Sequence, residues 1–138
     1  MTVLVDAGPL VALLNARDQH HSACRNTFKD AREPLGTVWP AFTEAMYLLR
    51  GLADAQDKLW TMLERRAFGV LPLDAADAPR MRELMAKYSD RPMDLADAAL
   101  VRVAERDRID TIFTVDRADF SVYRIGGKKR FKLLPKSG

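Results

Sequence analysis

Several features common in enzymes and secreted proteins are missing from this sequence. Its single cysteine, Cys24, excludes an internal disulfide and a cysteine-cluster zinc site. No apolar run approaches the roughly 18 residues that cross a bilayer, and residues 1–6 lack the basic flank of a secretory signal. We therefore expect a cytoplasmic protein with no membrane partner. The sequence also has no P-loop, no Gly-x-Gly-x-x-Gly motif and no convincing Ser–His–Asp set.

The composition is that of one globular domain. Its 138 residues are 48% apolar and 30% charged, which predicts a single domain over residues 1–138. The net charge of +3 is compatible with a polyanionic partner. Basic residues concentrate in a C-terminal tail, about residues 124–138, which could contact phosphates or simply be solvated. They are Lys128, Lys129, Arg130, Lys132 and Lys136.

Short apolar runs alternate with amphipathic segments along the chain. Val3, Leu4 and Val5 predict a buried strand, and Pro9 suits the first turn of the helix that follows. We expect further strands near 36–39, 68–73 and 111–115 and an edge strand at 131–134. Helices are expected at 20–31, from residue 40, and at 54–66, 76–88 and 94–106. This alternation predicts an α/β fold with a mainly parallel central sheet flanked by helices.

Two carboxylates end apolar strands in this plan, Asp6 after the first and Asp116 after residues 111–115. In an open parallel sheet, ligands bind at the carboxyl ends of the strands. Both acids would then face one cleft. Each could instead cap a helix or shape a turn, and for either residue alone that alternative carries equal weight.

Three more acids lie on predicted helices. Glu44 is surrounded by Ala41, Phe42, Ala45 and Met46, which predicts a place at the margin of the core, where a carboxylate needs a partner or a cation. The remaining two acids, Asp94 and Asp97, are three residues apart, so they share one helix face.

Of this helical pair, Asp94 is the better candidate for a helix cap. Asp97 is followed by four apolar residues and is the better candidate for a functional role. Mg²⁺ prefers oxygen ligands and can activate a water molecule to attack a phosphodiester. Acids clustered at one place would therefore have a common role, which is to bind such an ion.

Four stretches of the chain, at residues 3–15, 43–44, 92–101 and 114–120, resemble PIN-domain nucleases, and within them the VapC-type toxins of bacterial toxin–antitoxin pairs. The resemblance implies a PIN-like α/β/α sandwich. It also implies hydrolysis of RNA with Mg²⁺ or Mn²⁺, a homodimer, and inhibition by a small antitoxin protein. The metal would lie on the acids that match the family positions, which are Asp6, Glu44, Asp97 and Asp116.

The resemblance assigns lesser roles to three further residues. Thr114 would help to hold the last acid or the water around the metal. Asp94 would be a supporting acid or a helix cap, and Asp119 a turn residue. Arg91 and Arg117, with the C-terminal lysines, could position the RNA backbone.

The sequence is compatible with three functions besides that of a toxin nuclease. A phosphoaspartate-type phosphatase of the haloacid dehalogenase kind requires a second aspartate two positions after the first, where this chain has Gly8. A PIN-type RNA-processing nuclease is the second, and a non-catalytic module that binds RNA or a protein partner is the third.

Aromatic and apolar side chains in the middle of the chain have two interpretations. Four aromatic side chains could stack on bases, although core or dimer packing is favoured for them: Trp39, Tyr47, Trp60 and Tyr88. Residues 46–63 carry enough apolar surface for an oligomer interface, and an ordinary buried hairpin would show the same pattern.

Overall fold

The computed structural model describes residues 1–136, within which seven strands, seven α-helices and one 3₁₀ turn alternate along the chain. The strands are β1 (Val3–Val5), β2 (Leu35–Thr37), β3 (Gly69–Val70), β4 (Thr111–Phe113), β5 (Arg124–Ile125), β6 (Lys129–Arg130) and β7 (Lys132–Leu134). The α-helices are α1 (Ala7–Leu14), α2 (His21–Asp30), α3 (Trp39–Leu48), α4 (Ala55–Glu64), α5 (Ala78–Lys87), α6 (Leu95–Asp107) and α7 (Arg117–Val122), and the 3₁₀ turn is Ala75–Asp77.

Five strands form one sheet in the order β3-β2-β1-β4-β7, and every pairing in it is parallel. The predicted α/β class with a mainly parallel sheet is therefore confirmed. The first strand lies at the centre, with β2 on one side and β4 on the other. Because the chain leaves β1 in one direction and reaches β4 on the other side, the carboxyl ends of these two strands mark the switch point where ligands bind in such sheets.

Alternating side chains of the central strands fill two cores, one on each face of the sheet. Leu4 and Ile112 point to the face covered by α5 and α6. Val5 and Phe113 point to the opposite face, covered by α1, α3 and α4. All four are buried, and each such side chain contributes about 1.5–3 kcal/mol relative to an exposed one.

The C-terminal basic segment is folded over most of its length. A tight antiparallel pair joins β5 to β6, and the predicted edge strand is confirmed as β7. Lys129 and Lys132 lie 3.0 and 3.5 Å from a carboxylate oxygen of Asp110, just before β4. Residues 137 and 138 of the predicted tail lie outside the described residues. Across residues 1–136, no helix combines the length and hydrophobicity that a membrane span requires.

Candidate metal centre

Two neighbouring strand ends form the floor of the candidate site. Asp6 follows β1 and Asp116 follows β4, and the Asp6 amide donates to the carbonyl oxygen of Phe113 over 2.9 Å. Gly8, in the first turn of α1, packs so closely on Val115 that an added Cβ would overlap that side chain. The glycine therefore permits the close approach of the segments that carry the two acids.

A buried hydroxyl links these acids. The Oγ1 atom of Thr114 donates to Asp6 Oδ2 over 2.9 Å and accepts from the amide of Asp116 over 2.9 Å. The other oxygen of Asp6 accepts from the Ala7 amide over 2.8 Å, which caps α1. The orientation of Asp6 is thus fixed by two hydrogen bonds, one to a helix N-terminus and one to the neighbouring strand end.

Removal of the Thr114 hydroxyl is expected to weaken metal binding by more than the accompanying loss of stability explains. Thr114→Val should lower metal affinity or cleavage about 10- to 100-fold, the usual effect of losing a partner that orients a ligand. It should also cost about 1–3 kcal/mol, because the buried Asp6 carboxylate loses a hydrogen-bond donor and the Asp116 amide loses its acceptor. Titration calorimetry with Mg²⁺ or Mn²⁺ and urea unfolding measure the two effects.

Thr37→Val is the matched control. The Thr37 hydroxyl is also buried, but it donates to the Val5 carbonyl oxygen over 2.7 Å, inside the sheet. Its replacement should cost similar stability and leave metal affinity unchanged. Equal losses of metal affinity in the two variants would show that Thr114 acts only through the fold.

The start of α6 supplies two further acids. Asp94 Oδ1 accepts from the Asp97 amide over 2.8 Å, so the predicted helix cap is confirmed. Asp97 itself is buried, and its Oδ2 accepts a 2.8 Å hydrogen bond from the hydroxyl of Tyr123. No local pattern in the sequence points to this tyrosine, because the contact joins residues 26 positions apart.

Glu44 reaches the site from α3. It lies in the middle of that helix and its side chain is exposed, so the predicted place at the core margin is wrong. The neighbours that suggest such a place, Ala41, Phe42 and Ala45, are themselves buried, whereas the Glu44 side chain extends to the surface. With Asp94, Glu44 lines a surface groove between α3 and α6.

The closest group of acids in the described chain contains one unexpected member. Carboxylate oxygens of Asp97, Asp116 and Asp119 lie within 4.8 Å of one another. Asp119 is in the first turn of α7, not in a turn between elements as predicted, and its amide donates to Asp116, which caps that helix. Arg91 Nη1 donates to Asp119 Oδ1 over 2.8 Å. Among residues 1–136, Asp6 lies beside this closest group rather than within it.

Each predicted ligand has a raised pKa, mainly because burial disfavours the charged carboxylate, and neighbouring negative charges add to this effect. Burial raises the pKa of Asp6 to about 6, against opposing hydrogen bonds from Ala7 and Thr114. Burial, followed by the charges of Asp6 and Asp94, raises the pKa of Asp97 to about 8.

The pKa values of the two more exposed predicted ligands, Glu44 and Asp116, are also raised. Desolvation raises the pKa of Glu44, and the charges of Asp94 and Asp116 add to it. Desolvation and the neighbouring Asp119 raise the pKa of Asp116. Like charges held together in this way favour either protonation or a bound cation.

The donor set fits a hard divalent cation. All its candidate ligands are carboxylate oxygens, the type that Mg²⁺ and Mn²⁺ accept. A spacing of up to 4.8 Å between oxygens lets one ion, at about 2.0–2.2 Å from each ligand, be reached after small side-chain adjustments. Cys24, whose thiol would favour softer metal ions, is buried in the core beyond α1 and does not belong to this set of carboxylates.

The basic residues proposed for the RNA backbone divide into two groups. Arg91 and Arg117 lie beside the acids, where Arg91 pairs with Asp119 and Arg117 donates to the Pro135 carbonyl oxygen. Lys129 and Lys132 instead pair with Asp110, at the other end of β4. Those two lysines lie at the opposite edge of the sheet from the site.

Comparisons with known proteins agree with this geometry. Residues 3–126 match the model of the PIN domain family. The chain is 30% identical over 135 residues to Ribonuclease VapC26 of Mycobacterium tuberculosis, a match that covers 96% of this chain and all of that protein. The crystal structure of Mycobacterium tuberculosis VapC20, described as a sarcin-ricin loop cleaving toxin, superimposes with a TM-score of 0.77 at 18% identity. That superposition covers 83% of this chain and 90% of VapC20, and it shows the same fold. From the family match and the full-length relative together, the chain belongs to the PIN domain family and to its VapC-type members.

Proposed function

We propose that this protein is a divalent-metal-dependent ribonuclease that hydrolyses RNA phosphodiester bonds in the cytoplasm. The observation that carries the proposal is the convergence of carboxylates from four separate segments at the carboxyl edge of the sheet. The full-length relative is named as a ribonuclease, and the structural neighbour is described as cleaving the sarcin-ricin loop.

The residues that would hold the cation are Asp6, Glu44, Asp97 and Asp116, as the sequence predicts, joined by Asp119. When bound, a divalent cation such as Mg²⁺ or Mn²⁺ supplies Lewis-acid polarisation of a phosphoryl oxygen and lowers the pKa of a water molecule. A bound cation would offset both the burial and the mutual repulsion that raise the pKa values of these carboxylates.

The chain's own groups account for the remaining steps. Thr114 and the α1 N-terminus hold Asp6, and Tyr123 holds Asp97, so these acids are oriented before substrate binds. A carboxylate of the set would take the proton from the water that attacks phosphorus in line. The 3′ oxygen would leave on the opposite side and take up a proton from solvent. The exposed position of Glu44 suits this transfer, because its oxygens are open to solvent.

Asp6→Asn tests the proposed function directly. Purified protein should cut total RNA only when Mg²⁺ or Mn²⁺ is present, and the substitution should abolish that cleavage while the fold is retained. Asp110→Asn is the control, because Asp110 is an acid of the same sheet paired with Lys129 at its other edge. Full divalent-dependent activity in Asp6→Asn would remove this residue from the site, and metal-independent cleavage by wild type would overturn the proposal.

We also propose that the nuclease is the toxin of a toxin–antitoxin pair. This rests on membership among the VapC-type proteins. A short adjacent reading frame whose product co-purifies with the chain and suppresses cleavage is the expected partner. An RNA-processing role outside such a pair would be indicated by the lack of that reading frame and by growth unaffected on overproduction.

A homodimer completes the proposal. The predicted oligomer segment, residues 46–63, exposes two leucines: Leu48, the last residue of α3, is 50% exposed, and Leu52, in the turn that follows, is 40% exposed. Leu48→Glu should therefore shift a dimer towards monomer in analytical ultracentrifugation, because burial of a charge at an apolar contact is costly. An unchanged dimer would place the interface elsewhere, and a monomeric wild type would overturn this part.

A further inference from the structure

Arg91 lies beside the candidate metal centre, on the turn between α5 and α6. Its amide donates to the carbonyl oxygen of Tyr88 over 3.0 Å, and the amide of Met93 donates to the same oxygen over 3.3 Å. Tyr88 and Met93 are both buried, so they fix the turn to the core. Pro92 restricts the backbone of the arginine that precedes it. The guanidinium is therefore carried by a turn that is ordered before any ligand binds.

The guanidinium pairs with one acid of the centre. Its Nη1 atom lies 2.8 Å from Asp119 Oδ1, and the side chains of Arg91 and Asp119 are 33% and 26% exposed. Carboxylate oxygens of Asp119, Asp97 and Asp116 lie within 4.8 Å of one another. The pair thus brings a positive charge, partly shielded from solvent, to the edge of the place where the acids converge.

The charge of Asp119 acts on its neighbour in the centre. The Asp119 amide donates to Asp116 Oδ1 over 3.4 Å. After desolvation, the side chain of Asp119 is the next cause that raises the pKa of Asp116. A positive charge held against Asp119 therefore also offsets part of the repulsion that Asp116 experiences.

The buried acids of the centre have neutral hydrogen-bond partners instead. Asp6 accepts from a helix amide and from the Thr114 hydroxyl, and Asp97 accepts from the Tyr123 hydroxyl. Neutral donors orient a carboxylate but do not cancel its charge. Within residues 1–136, the pair made by Arg91 is the one salt bridge that reaches any candidate ligand of the centre.

From this arrangement we propose that Arg91 is the built-in counter-ion of the metal-free centre and competes with the divalent cation for Asp119. The pair stabilises the metal-free chain, because a nearby cation favours ionised carboxylates. It opposes metal binding, since the guanidinium engages an oxygen of Asp119 and its charge repels a divalent ion. Arg91 acts through Asp119 and is a positioning residue. The inference rests on the proposed metal site and adds a limit on how tightly that site holds its ion.

Titration of the full chain with Mn²⁺ tests the proposal without any measurement of cleavage. At low ionic strength, Arg91→Gln should bind Mn²⁺ about tenfold more tightly than wild type in calorimetry, the effect of removing a unit charge that acts on a divalent ion across a few ångströms of solvated site. In a chelator the same variant should melt below wild type. Saturating Mn²⁺ should reduce or reverse that difference, because tighter binding stabilises the folded chain more.

Two control variants separate charge from structure. Arg91→Lys keeps the positive charge, so its Mn²⁺ affinity should stay close to that of wild type. Arg102→Gln removes a comparable ion pair outside the centre, since Arg102 is 25% exposed and lies 2.8 Å from Asp77. It should lower the melting temperature both in a chelator and in Mn²⁺, and leave Mn²⁺ affinity unchanged.

A double substitution asks whether the arginine acts through its partner. In an Asp119→Asn background, Arg91→Gln should change Mn²⁺ affinity much less than it does in wild type, because the guanidinium is no longer held at the acids. An effect of the same size in both backgrounds would overturn the role assigned to the pair.

The outcomes that contradict the proposal are distinct. Weaker Mn²⁺ binding by Arg91→Gln would mean that the arginine orients Asp119 as a ligand, and unchanged binding would mean an ordinary surface ion pair; either result overturns it. If neither wild type nor Arg91→Gln binds Mn²⁺, this proposal and the proposed metal site both fail. A wild-type protein that binds Mn²⁺ but cuts no RNA would remove the ribonuclease function alone, and the affinity of Arg91→Gln would still decide the role of the arginine.

Discussion

Asp97→Asn is expected to lower divalent-dependent cleavage about 10²- to 10³-fold, which is the usual effect of losing one preorganised electrostatic group. The same substitution is expected to stabilise the metal-free chain. Asp97 is the buried acid whose pKa is raised to about 8 by burial and by Asp6 and Asp94. Asparagine removes the charge but keeps an oxygen that can accept from Tyr123, so packing is retained. Cleavage assays with Mg²⁺ and thermal melts in a chelator measure the two effects.

Asp77→Asn provides the opposite case with the same substitution. Asp77 is also buried, but it lies 2.8 Å from Arg102 and 3.1 Å from Arg106, and its pKa is lowered by the Asp74 amide and these two arginines. Its replacement should cost about 2 kcal/mol, because two guanidinium groups lose a charged acceptor. A chelator-treated Asp97→Asn protein that melts below wild type would contradict the prediction that a buried carboxylate beside other acids destabilises the metal-free chain.

The strand-ending acids can be located from sequence because both periodicity and position are local. The apolar runs of β1 and β4 each end shortly before an aspartate, Asp6 and Asp116. Parallel pairing brings the carboxyl ends of such strands to one edge of the sheet. The helix-cap alternative is equally local, and the structure shows that it also holds. Asp6, Asp94 and Asp116 each accept from a helix amide. Capping and metal binding are compatible, since a carboxylate has two oxygens with about four lone-pair sites.

The parts that the sequence does not predict depend on distant contacts or on short elements. Helix α7 has six residues, and only one of them, Phe120, is buried. The sequence therefore shows no helical periodicity of apolar residues there, and Asp119 resembles a turn residue. Tyr123 meets Asp97 only after α7 has returned the chain to α6. The exposure of Glu44 cannot be read from the sequence, because the apolar residues next to it along the chain are buried while its own longer side chain extends to the surface.

The stability of the metal-free protein is expected to fall as pH rises from about 4 to about 8. The pKa is about 6 for Asp6 and about 8 for Asp97 in the folded chain, against 3.8 for an ordinary aspartate. An acid with a higher pKa in the folded chain binds more protons when folded, so the free energy of unfolding decreases with pH between the two values. Urea unfolding at a series of pH values in a chelator measures this slope, at most about 1.4 kcal/mol per pH unit for each proton.

Mg²⁺ or Mn²⁺ should remove this slope or reverse it. A cation binds the ionised carboxylates, so its stabilising effect grows as pH rises and its apparent affinity falls as pH drops. Acids with lowered pKa values outside the site, such as Asp77 and Asp110, act in a separate window: their stabilisation is present above about 4 and is lost below it. Asp97→Asn should flatten the dependence of the metal-free unfolding free energy on pH most strongly between about 6 and about 8. In that interval Asp97 still titrates, whereas Asp6 is already largely ionised. A metal-free stability that is level or rises across that interval would mean that burial and neighbouring charge do not raise the pKa values of Asp6 and Asp97 in the folded chain.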